Sequence, residues 1–278
     1  VGKLGKDVFG DFLMASLEKE SIDTTYMILD VDAPTTLAIV SLDQNGDRNF
    51  RFYRNQPADV SLEKRNLNLD MLQQTACLHF GSVSLTAEPS RSATLAAVET
   101  AKTAGALISF DPNLREPLWL SLSDAKREIQ TGLSYADVVK LSEEELYFLS
   151  GTSTVEQGME QLWRQYPLKL VAVTCGVKGC ICKTENGLLH LPAFDVPTVD
   201  TTGAGDAFWG TVLAGLAKHS YDVAHLSAEI LHNILNDANA AGSLVTTKRG
   251  AITAMPSKRE IEQCVANTPD LHREGSNE

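Results

Sequence analysis

Apolar residues along this chain recur with two different spacings, which predict strands and helices in alternation. Short runs rich in β-branched and aromatic residues predict strands at 35–41, 49–53, 77–81, 107–111, 138–141 and 170–179, the last running into a glycine turn. Apolar residues spaced three and four apart predict helices at 11–19, 67–72, 89–102, 121–132, 207–216 and 230–244. Strands alternating with helices form right-handed parallel βαβ units, so the pattern predicts an α/β fold with a mostly parallel sheet.

Some segments carry more specific local signals. An Asn-Gly pair within Gln44–Asp47, between the first two strand-like runs, predicts a β-hairpin. The helix at 207–216 is apolar nearly all round, which predicts that it is buried. Val1 reads as the end of a strand, and 187–197 reads as a β-hairpin-like run. From Thr268 onward the residues are polar and predict a disordered tail.

The composition excludes several classes of partner. The net charge of −12 disfavours nucleic acids and anionic membranes, because both bind basic surfaces. No apolar run in the sequence is long enough to cross a bilayer. The five cysteines form no C-x-x-C pair, which favours buried thiols in a reducing compartment over a metal or redox site. We therefore expect a cytoplasmic protein that binds small molecules.

The segment Asp200-Thr-Thr-Gly-Ala-Gly-Asp206 carries the strongest chemical signal. Gly203 and Gly205 lack a Cβ, so the backbone can turn tightly and a ligand can approach it closely. The amides of Ala204, Gly205 and Asp206 lie where a predicted helix begins, and free amides at a helix N-terminus attract anions. A carboxylate at Asp206 is placed to accept a proton from a hydroxyl that attacks a bound phosphate. The alternative is that Asp206 only caps the helix, as Asp commonly does.

This segment resembles the signature of the ribokinase-like (PfkB) sugar kinases, and further motifs follow in the family's order along nearly the whole chain. The resemblance implies a three-layer α/β/α sandwich with a mostly parallel central sheet, forming a single kinase domain over residues 1–278. A small β-sheet lid is expected at roughly residues 33–56. The resemblance also implies that Asp206 is the catalytic base and that the backbone of Gly203, Ala204 and Gly205 forms the anion hole.

The first residues, Val1 to Gly10, resemble the family segment Val-Gly-x-x-Gly-x-Asp-x-Phe-Gly. In relatives this segment follows an opening strand with a sugar-binding Asp and a Gly-Gly-x-x-x-Asn segment. Neither occurs in this sequence, so we expect either that these residues precede Val1 in the protein or that the chain is a truncated product. Part of the sugar site that the family resemblance implies is therefore not represented in this sequence.

Two segments resemble the substrate-binding motifs of the fructokinase branch. One is Phe52-Tyr-Arg-Asn-Gln-Pro-Ala-Asp59, where the resemblance implies that Arg54 reaches the sugar or its phosphate. The other is Asp111-Pro-Asn-Leu-Arg115, where it implies that Asp111 and Asn113 line the sugar site and that Arg115 binds phosphate or sugar oxygens. The alternatives are a solvated strand-end arginine at Arg54 and a turn with a surface arginine at Arg115.

Other positions match the family's nucleotide and metal sites. The segment from Asp137 to Glu145 contains a Ser-x-x-Glu capping box, which by itself explains Ser142 and Glu145. The resemblance implies that Glu145 also orders water around Mg²⁺, which keeps several waters when protein-bound. The residues that the family pattern assigns to ATP are Lys140, Ser142, Thr174, Gly176, Gly179, Asn239 and Gly242. Those it assigns to a monovalent cation such as K⁺, partly through backbone carbonyls, are Asp200, Thr202, Lys248 and Gly250.

The resemblance is nearest to the fructokinase and aminoimidazole riboside kinase branch. It implies ATP-dependent phosphorylation of a sugar hydroxyl, with conversion of fructose to fructose 6-phosphate as the first expectation. Aminoimidazole riboside or 2-keto-3-deoxygluconate remains an alternative substrate, and a catalytically silent sugar- and nucleotide-binding protein is the alternative from another class. A Rossmann dehydrogenase is disfavoured because no G-x-G-x-x-G follows an early strand. Relatives often pair through the lid sheet, so the resemblance implies a homodimer.

Overall fold

The computed structural model describes residues 1–42 and 48–271, and the chain divides into two compact units, Val1–Tyr135 and Ala136–Glu278. The turn predicted within Gln44–Asp47 and residues 272–278 of the predicted tail lie outside the described residues. Strands and helices alternate within each unit, so the predicted α/β class is confirmed. The single domain expected over the whole chain stays a prediction.

The first unit contains six strands and four α-helices among its described residues. The strands are β1 (Gly2–Gly5), β2 (Met27–Asp30), β3 (Leu37–Leu42), β4 (Arg48–Tyr53), β5 (Cys77–Gly81) and β6 (Leu107–Asp111). The helices are α1 (Val8–Lys19), α2 (Leu69–Gln73), α3 (Ser90–Thr103) and α4 (Leu122–Tyr135). Strands β5 and β6 pair in parallel, with Gly81 opposite Asp111, so their carboxyl ends meet at one edge.

Val1 was predicted to end a strand, but it precedes β1, so this prediction was wrong. Strand β1 pairs in parallel with β2, a segment that the hydrophobic pattern did not predict. Asp7 caps α1 by accepting hydrogen bonds from the Phe9 and Gly10 amides, and its second oxygen accepts the Thr35 amide at 2.8 Å. The amide of Thr35, together with that of Gly10, lowers the pKa of the Asp7 carboxyl. This carboxylate therefore joins α1 to the segment that leads into β3.

Strands β3 and β4 pair antiparallel, with Leu37 opposite Tyr53 and Leu42 opposite Arg48. They form a separate two-stranded sheet, as expected for the small lid. The core of the first unit lies around Phe110, whose ring stacks on that of Phe80 with centroids 4.6 Å apart. A Cβ on Gly132 would lie 2.6 Å from the Phe110 ring, so close packing requires glycine there.

The second unit contains four strands and five helices among its described residues. The strands are β7 (Val138–Ser142), β8 (Leu170–Thr174), β9 (Cys180–Thr184) and β10 (Gly187–Leu191). The helices are α5 (Glu143–Ser150), α6 (Val155–Gln165), α7 (Ala204–Ala217), α8 (Ala228–Val245) and α9 (Lys258–Asn267). Strands β7 and β8 are parallel, whereas β9 and β10 continue the sheet antiparallel. Strand β10 ends at Leu191, earlier than the run predicted to 197, because Pro192 supplies no amide for a ladder.

Two predictions for the second unit were wrong. Helix α7 is not buried all round: Phe208 and Trp209 are buried, but Gly210 and Ala214 are exposed. The predicted disorder does not begin at Thr268, because Pro269 and Leu271 make backbone hydrogen bonds to the loop after β10. Those bonds satisfy groups that water would otherwise have to solvate, which holds the chain in place.

Within the described ranges, no helix is both long enough and apolar enough to span a membrane. The cysteines are not joined in disulfides, and most of them are buried. Burial raises the pKa of the Cys175 thiol to about 11 and that of the Cys180 thiol to about 12. Such thiols are poorly ionised near neutral pH, and their burial agrees with the expectation of buried thiols.

Candidate active site

The predicted catalytic loop forms the N-terminus of α7. Gly203 is the N-cap residue and has a φ of 83°, a left-handed conformation that glycine adopts without a steric penalty. The Ala204 amide donates to the Thr201 carbonyl at 3.3 Å, which closes the turn before the helix. The amides of Gly205 and Asp206 lie in the first helical turn, where N–H groups have no intrahelical acceptor. The loop therefore directs amides and the positive end of the helix dipole outward, as an anion site requires.

Asp206 lies in the first turn of α7 with an exposed side chain. It lines a cavity of about 560 Å³ that follows α7 past Gly210 and Ala214. Gly205 lines a different cavity, on the side of β8. Two neighbouring residues of the loop, Asp206 and Gly205, thus line different cavities.

A buried cation lies directly against this loop. Lys140 is on the parallel strand β7 and is only 6% exposed. A Cβ built on Gly205 would lie 2.7 Å from the Lys140 ammonium nitrogen. Because an ammonium attracts phosphate as a point charge and the α7 amides are hydrogen-bond donors, the two together form a positive site of local origin on an acidic protein. This contact explains why position 205 has no side chain.

The cavity beside Gly205 has a volume of about 340 Å³. It brings together residues that the sequence assigned to the nucleotide, namely Thr174, Gly176, Gly179, Asn239 and Gly242. Apolar side chains complete its lining, among them Phe194, Val196, Phe208 and Leu271. A mostly apolar cleft with a few convergent polar groups at one end suits a flat base joined to a charged phosphate chain.

Two glycines shape the turn at the mouth of this cavity. Gly176 and Gly179 have positive φ angles of 56° and 87°, and the Cys175 amide donates to the Gly179 carbonyl at 2.8 Å. A Cβ on Gly179 would lie 2.0 Å from the Leu191 carbonyl oxygen, so no other residue fits there. The Asn239 side-chain amide nitrogen (Nδ2) donates to the carbonyls of Leu191 and Pro192, which holds the cavity wall in place. Asn239 therefore fixes the wall, and its contact with a nucleotide stays a prediction.

The capping box predicted at the start of α5 is present. The Ser142 hydroxyl accepts the Glu145 amide at 3.2 Å, and a Glu145 carboxylate oxygen accepts the Ser142 amide at 2.9 Å. Glu145 is only 9% exposed and follows β7, the strand that carries Lys140. No group of three or more His, Cys, Asp or Glu side chains in the described part of the chain is arranged to bind a metal directly. A single buried carboxylate fits a water-mediated contact with Mg²⁺ rather than an all-protein cage.

Asp200 joins the two loops that the sequence assigned to a monovalent cation. One carboxylate oxygen accepts the Thr202 amide at 2.9 Å, and the other accepts the Gly250 amide at 3.3 Å. The Asp200 amide in turn donates to the Thr246 carbonyl at 3.0 Å. The Lys248 side chain forms an ion pair with Glu260 at 3.3 Å, and a contact of its backbone with a cation stays a prediction. Carboxylate oxygens are of the type that binds hard cations, and the monovalent cation at Asp200 stays a prediction.

In the first unit, Arg54 is held by several partners. Its Nε and one terminal nitrogen donate to Asp59 Oδ2 at 3.1 and 2.5 Å, and its other terminal nitrogen donates to the Thr86 hydroxyl at 2.7 Å. Asp59 also accepts the Thr36 hydroxyl at 2.6 Å. Arg54 is therefore not the solvated arginine of the alternative interpretation. Its contacts join the base of β3 and β4 to the turn after β5, and a direct contact with sugar stays a prediction.

The other predicted sugar-site residues follow β6. Asp111 ends the strand and is 4% exposed, and Asn113 has a left-handed φ of 47°. Arg115 is half-buried and donates to the neighbouring Leu114 carbonyl at 3.2 Å. Sequence reasoning missed Ser82, which follows the adjacent β5; its fully buried hydroxyl has no hydrogen-bond partner among the described residues. The feature of the sequence that could have indicated Ser82 was its position directly after a predicted strand that ends at Gly81.

Comparisons with known proteins show which family the chain belongs to. The sequence pattern described as "pfkB family carbohydrate kinase" matches residues 1–258. Fructokinase-1 of Zea mays is 45% identical over 267 residues, which are 95% of this chain and 81% of that protein. The structure of a fructokinase with bound ATP from Xylella fastidiosa superposes with a TM-score of 0.88 at 35% identity, covering 96% of this chain and 84% of that chain.

A fructokinase from Vibrio cholerae, solved with fructose, ADP and a calcium ion, superposes with a TM-score of 0.85 at 36% identity, covering 95% of this chain and 84% of that chain. Agreement at this level confirms the ribokinase-like α/β fold and sugar kinase activity that the motifs implied. The chain therefore belongs to the pfkB family of carbohydrate kinases.

Proposed function

We propose that the protein transfers the γ-phosphoryl group of ATP to fructose and forms fructose 6-phosphate and ADP. The observation that carries the nucleotide half is the buried Lys140 ammonium against Gly205, which lines the same cavity as the Gly176–Gly179 turn. The fructose half is supported by relatives named fructokinases, which match nearly the whole chain. Aminoimidazole riboside has weaker support, because an aminoimidazole riboside kinase from Salmonella enterica superposes with a TM-score of 0.83 but at only 29% identity. For 2-keto-3-deoxygluconate and for a silent binding protein, no observation of this kind speaks.

In the proposed reaction, the nucleotide occupies the 340 Å³ cavity with its phosphates at the N-terminus of α7. A sugar hydroxyl oxygen forms a bond to the γ-phosphorus while the bond from that phosphorus to the bridging oxygen of ADP breaks. Asp206 accepts the hydroxyl proton, and the leaving oxygen departs with the bonding electron pair on ADP. The amides of Gly205 and Asp206 and the Lys140 ammonium stabilise the negative charge on the transferred group. Catalysis of this type depends mainly on positioning and electrostatics.

Two cations belong to this proposal. Mg²⁺, ordered through water by Glu145, would offset phosphate charge when bound. A monovalent cation at Asp200, Thr202, Gly250 and the Lys248 backbone would reinforce the join between two loops that Asp200 already bridges. The sugar-binding roles of Asp111, Asn113 and Arg115 form part of the same proposal.

The proposal includes a homodimer and a cytoplasmic location. Pairing through β3 and β4 is an expectation from the family resemblance, and sedimentation at working concentration tests it; a monomer would contradict it. The buried thiols are compatible with a reducing compartment.

The decisive experiment couples ADP release to NADH oxidation across a panel of fructose, ribose, aminoimidazole riboside and 2-keto-3-deoxygluconate. The expected result is turnover with fructose at a kcat/KM at least tenfold above the other sugars. Two-dimensional ¹H–³¹P NMR of the product then locates the new ester at the C6 oxygen. Efficient turnover of another panel member instead of fructose would replace the substrate assignment. Tight ATP binding without turnover of any sugar would replace the enzyme with a binding protein.

A further inference from the structure

The segment after α9 is built into the second unit. The Pro269 carbonyl accepts the Asp195 amide at 3.0 Å, and the Leu271 amide donates to the Ala193 carbonyl at 2.7 Å. Between these two bonds, Asp270 and Phe194 form an antiparallel β-bridge. The segment is thus held by an isolated β-bridge and two flanking backbone hydrogen bonds, so substitution of its side chains leaves these bonds intact.

Leu271 lies between two cavities. It lines the 340 Å³ cavity that holds the predicted nucleotide residues. It also lines a neighbouring cavity of about 550 Å³, together with Tyr147, Lys178 and His190. Its side chain is half-buried rather than exposed, although it lies close to the end of the chain. Among the described residues, Val177 and Leu271 line both cavities, so Leu271 forms part of the partition between the two spaces.

The contacts of the cavity wall indicate at which end Leu271 lies. A Cβ on Gly242 would lie 3.3 Å from the Ala204 carbonyl, which places this part of α8 at the phosphate loop. Asn239, one turn earlier on α8, donates to the Pro192 carbonyl at 2.9 Å. Leu271 bonds to Ala193, the next residue, and so lies nearer to the Asn239 end of this wall than to Ala204, before Phe194 reaches Ser243. With phosphates at α7, that end receives the base.

We propose that Leu271 is a specificity-determining residue for the nucleotide, contacting the base and closing its pocket against the neighbouring 550 Å³ cavity. The assignment rests on the proposed nucleotide site. The apolar side chain suits the face or edge of a purine and supplies no hydrogen bond, so it restricts the size of the base more than its polar pattern. Removing the side chain weakens the contact and opens a passage into the second cavity.

The first test replaces Leu271 with alanine in the full-length protein. We expect the KM for ATP to rise about three- to tenfold, as the loss of a few buried methyl and methylene groups implies, with kcat and the KM for fructose changed less than twofold. Leu188→Ala is the matched control, because Leu188 is 41% exposed on β10 and lines neither cavity. Thermal melts of both variants exclude global unfolding. An unchanged KM and Kd for ATP in a folded Leu271→Ala protein would overturn the proposal.

The second test uses the passage between the cavities. N6-benzyl-ATP is too large for a closed base pocket, so the parent protein is expected to reject it, whereas Leu271→Gly is expected to use it at a kcat/KM at least tenfold higher than the parent. If folded Leu271→Gly and Leu188→Ala reject N6-benzyl-ATP equally, the claim that Leu271 closes the base pocket would be contradicted. Calorimetry with ATP separates this inference from the proposed function. ATP binding without sugar turnover would refute the assigned reaction. The change in the Kd for ATP caused by Leu271→Ala would still test whether Leu271 contacts the base.

Discussion

Substituting Gly205 with alanine should separate the stability of this protein from its activity. No positive φ is required at Gly205, so alanine fits the backbone, and it is the better helix former by up to about 1 kcal/mol. The obstacle is the new Cβ, which would lie 2.7 Å from the Lys140 ammonium nitrogen and 3.3 Å from its Cε. The end of a lysine side chain moves easily, so we expect the ammonium to yield while the fold remains intact.

The size of the effect follows from the displacement. Normal contact between a carbon and a nitrogen needs about 3.5 Å, so the ammonium must move by roughly 0.8 Å. Moving a unit charge from about 3 to about 4 Å from a phosphate oxygen costs about 1.4 kcal/mol at an effective dielectric constant of about 20. That is about tenfold in rate, and loss of alignment with the amides raises the expected fall in kcat to about 10- to 100-fold.

The assay is steady-state kinetics with fructose and ATP, combined with urea unfolding. Gly210→Ala is the matched control, because it lies on the same helix with open space around its Cβ and shares the gain in helix propensity. We expect both variants to be at least as stable as the parent and only Gly205→Ala to lose turnover. A Gly205→Ala protein with parental kcat would refute the role of the Lys140 contact. A large loss of stability would refute the expectation that the ammonium yields.

Three further predictions concern stability and reactivity. Gly10→Ala should lower the free energy of unfolding by about 2–4 kcal/mol in urea melts, because its Cβ would lie 2.0 Å from the Gly5 carbonyl; unchanged stability would contradict this packing. The Lys3 side chain lowers the pKa of the Asp30 carboxyl from 3.8 to about 2. The ionised Asp30 therefore stabilises the fold fully above about pH 4, and this contribution is lost as the pH falls towards 2. Asp30→Asn should flatten the dependence of stability on pH over this range, and an unaltered profile would contradict the role of the Lys3–Asp30 pair. Iodoacetamide at pH 8 should label the half-buried Cys77 well before Cys180, as mass spectrometry can show; equal rates would contradict the burial of Cys180.

Strands flanked by turn residues were predictable from sequence. The bounds of β5 and β6 agree with the prediction at both ends, because each apolar run stops at a glycine or at an Asp-Pro pair that cannot continue the ladder. The helices α6 and α9 were missed although each begins with a hydroxyl cap, at Thr154 and Ser257. Both have mostly polar sequences, and their apolar stripes are short. Strand β2 has only four residues, too few for a period to show.

The candidate site was predictable where a motif is contiguous and unpredictable where distant segments meet. The loop from Gly203 to Asp206 can be recognised in the sequence by its glycines and by its position before an apolar helix. The apposition of Lys140 and Gly205 depends on how β7 and α7 pack, which no local pattern encodes. Leu271 is a further example, because a single leucine in a polar tail has no signal of its own. The hydrogen bonds of Arg54 to Asp59 and Thr86 likewise need the folded chain.

The most direct test of the account is the turnover of Asp206→Asn with fructose and ATP. The variant keeps the shape of the side chain but removes the base, so kcat should fall by about a thousandfold while the Kd for ATP changes less than threefold. Asp11→Asn, an equivalent substitution in the first turn of α1, serves as the control and should keep parental kinetics. Near-parental turnover by Asp206→Asn would contradict the central claim that this carboxylate accepts the proton of the attacking hydroxyl.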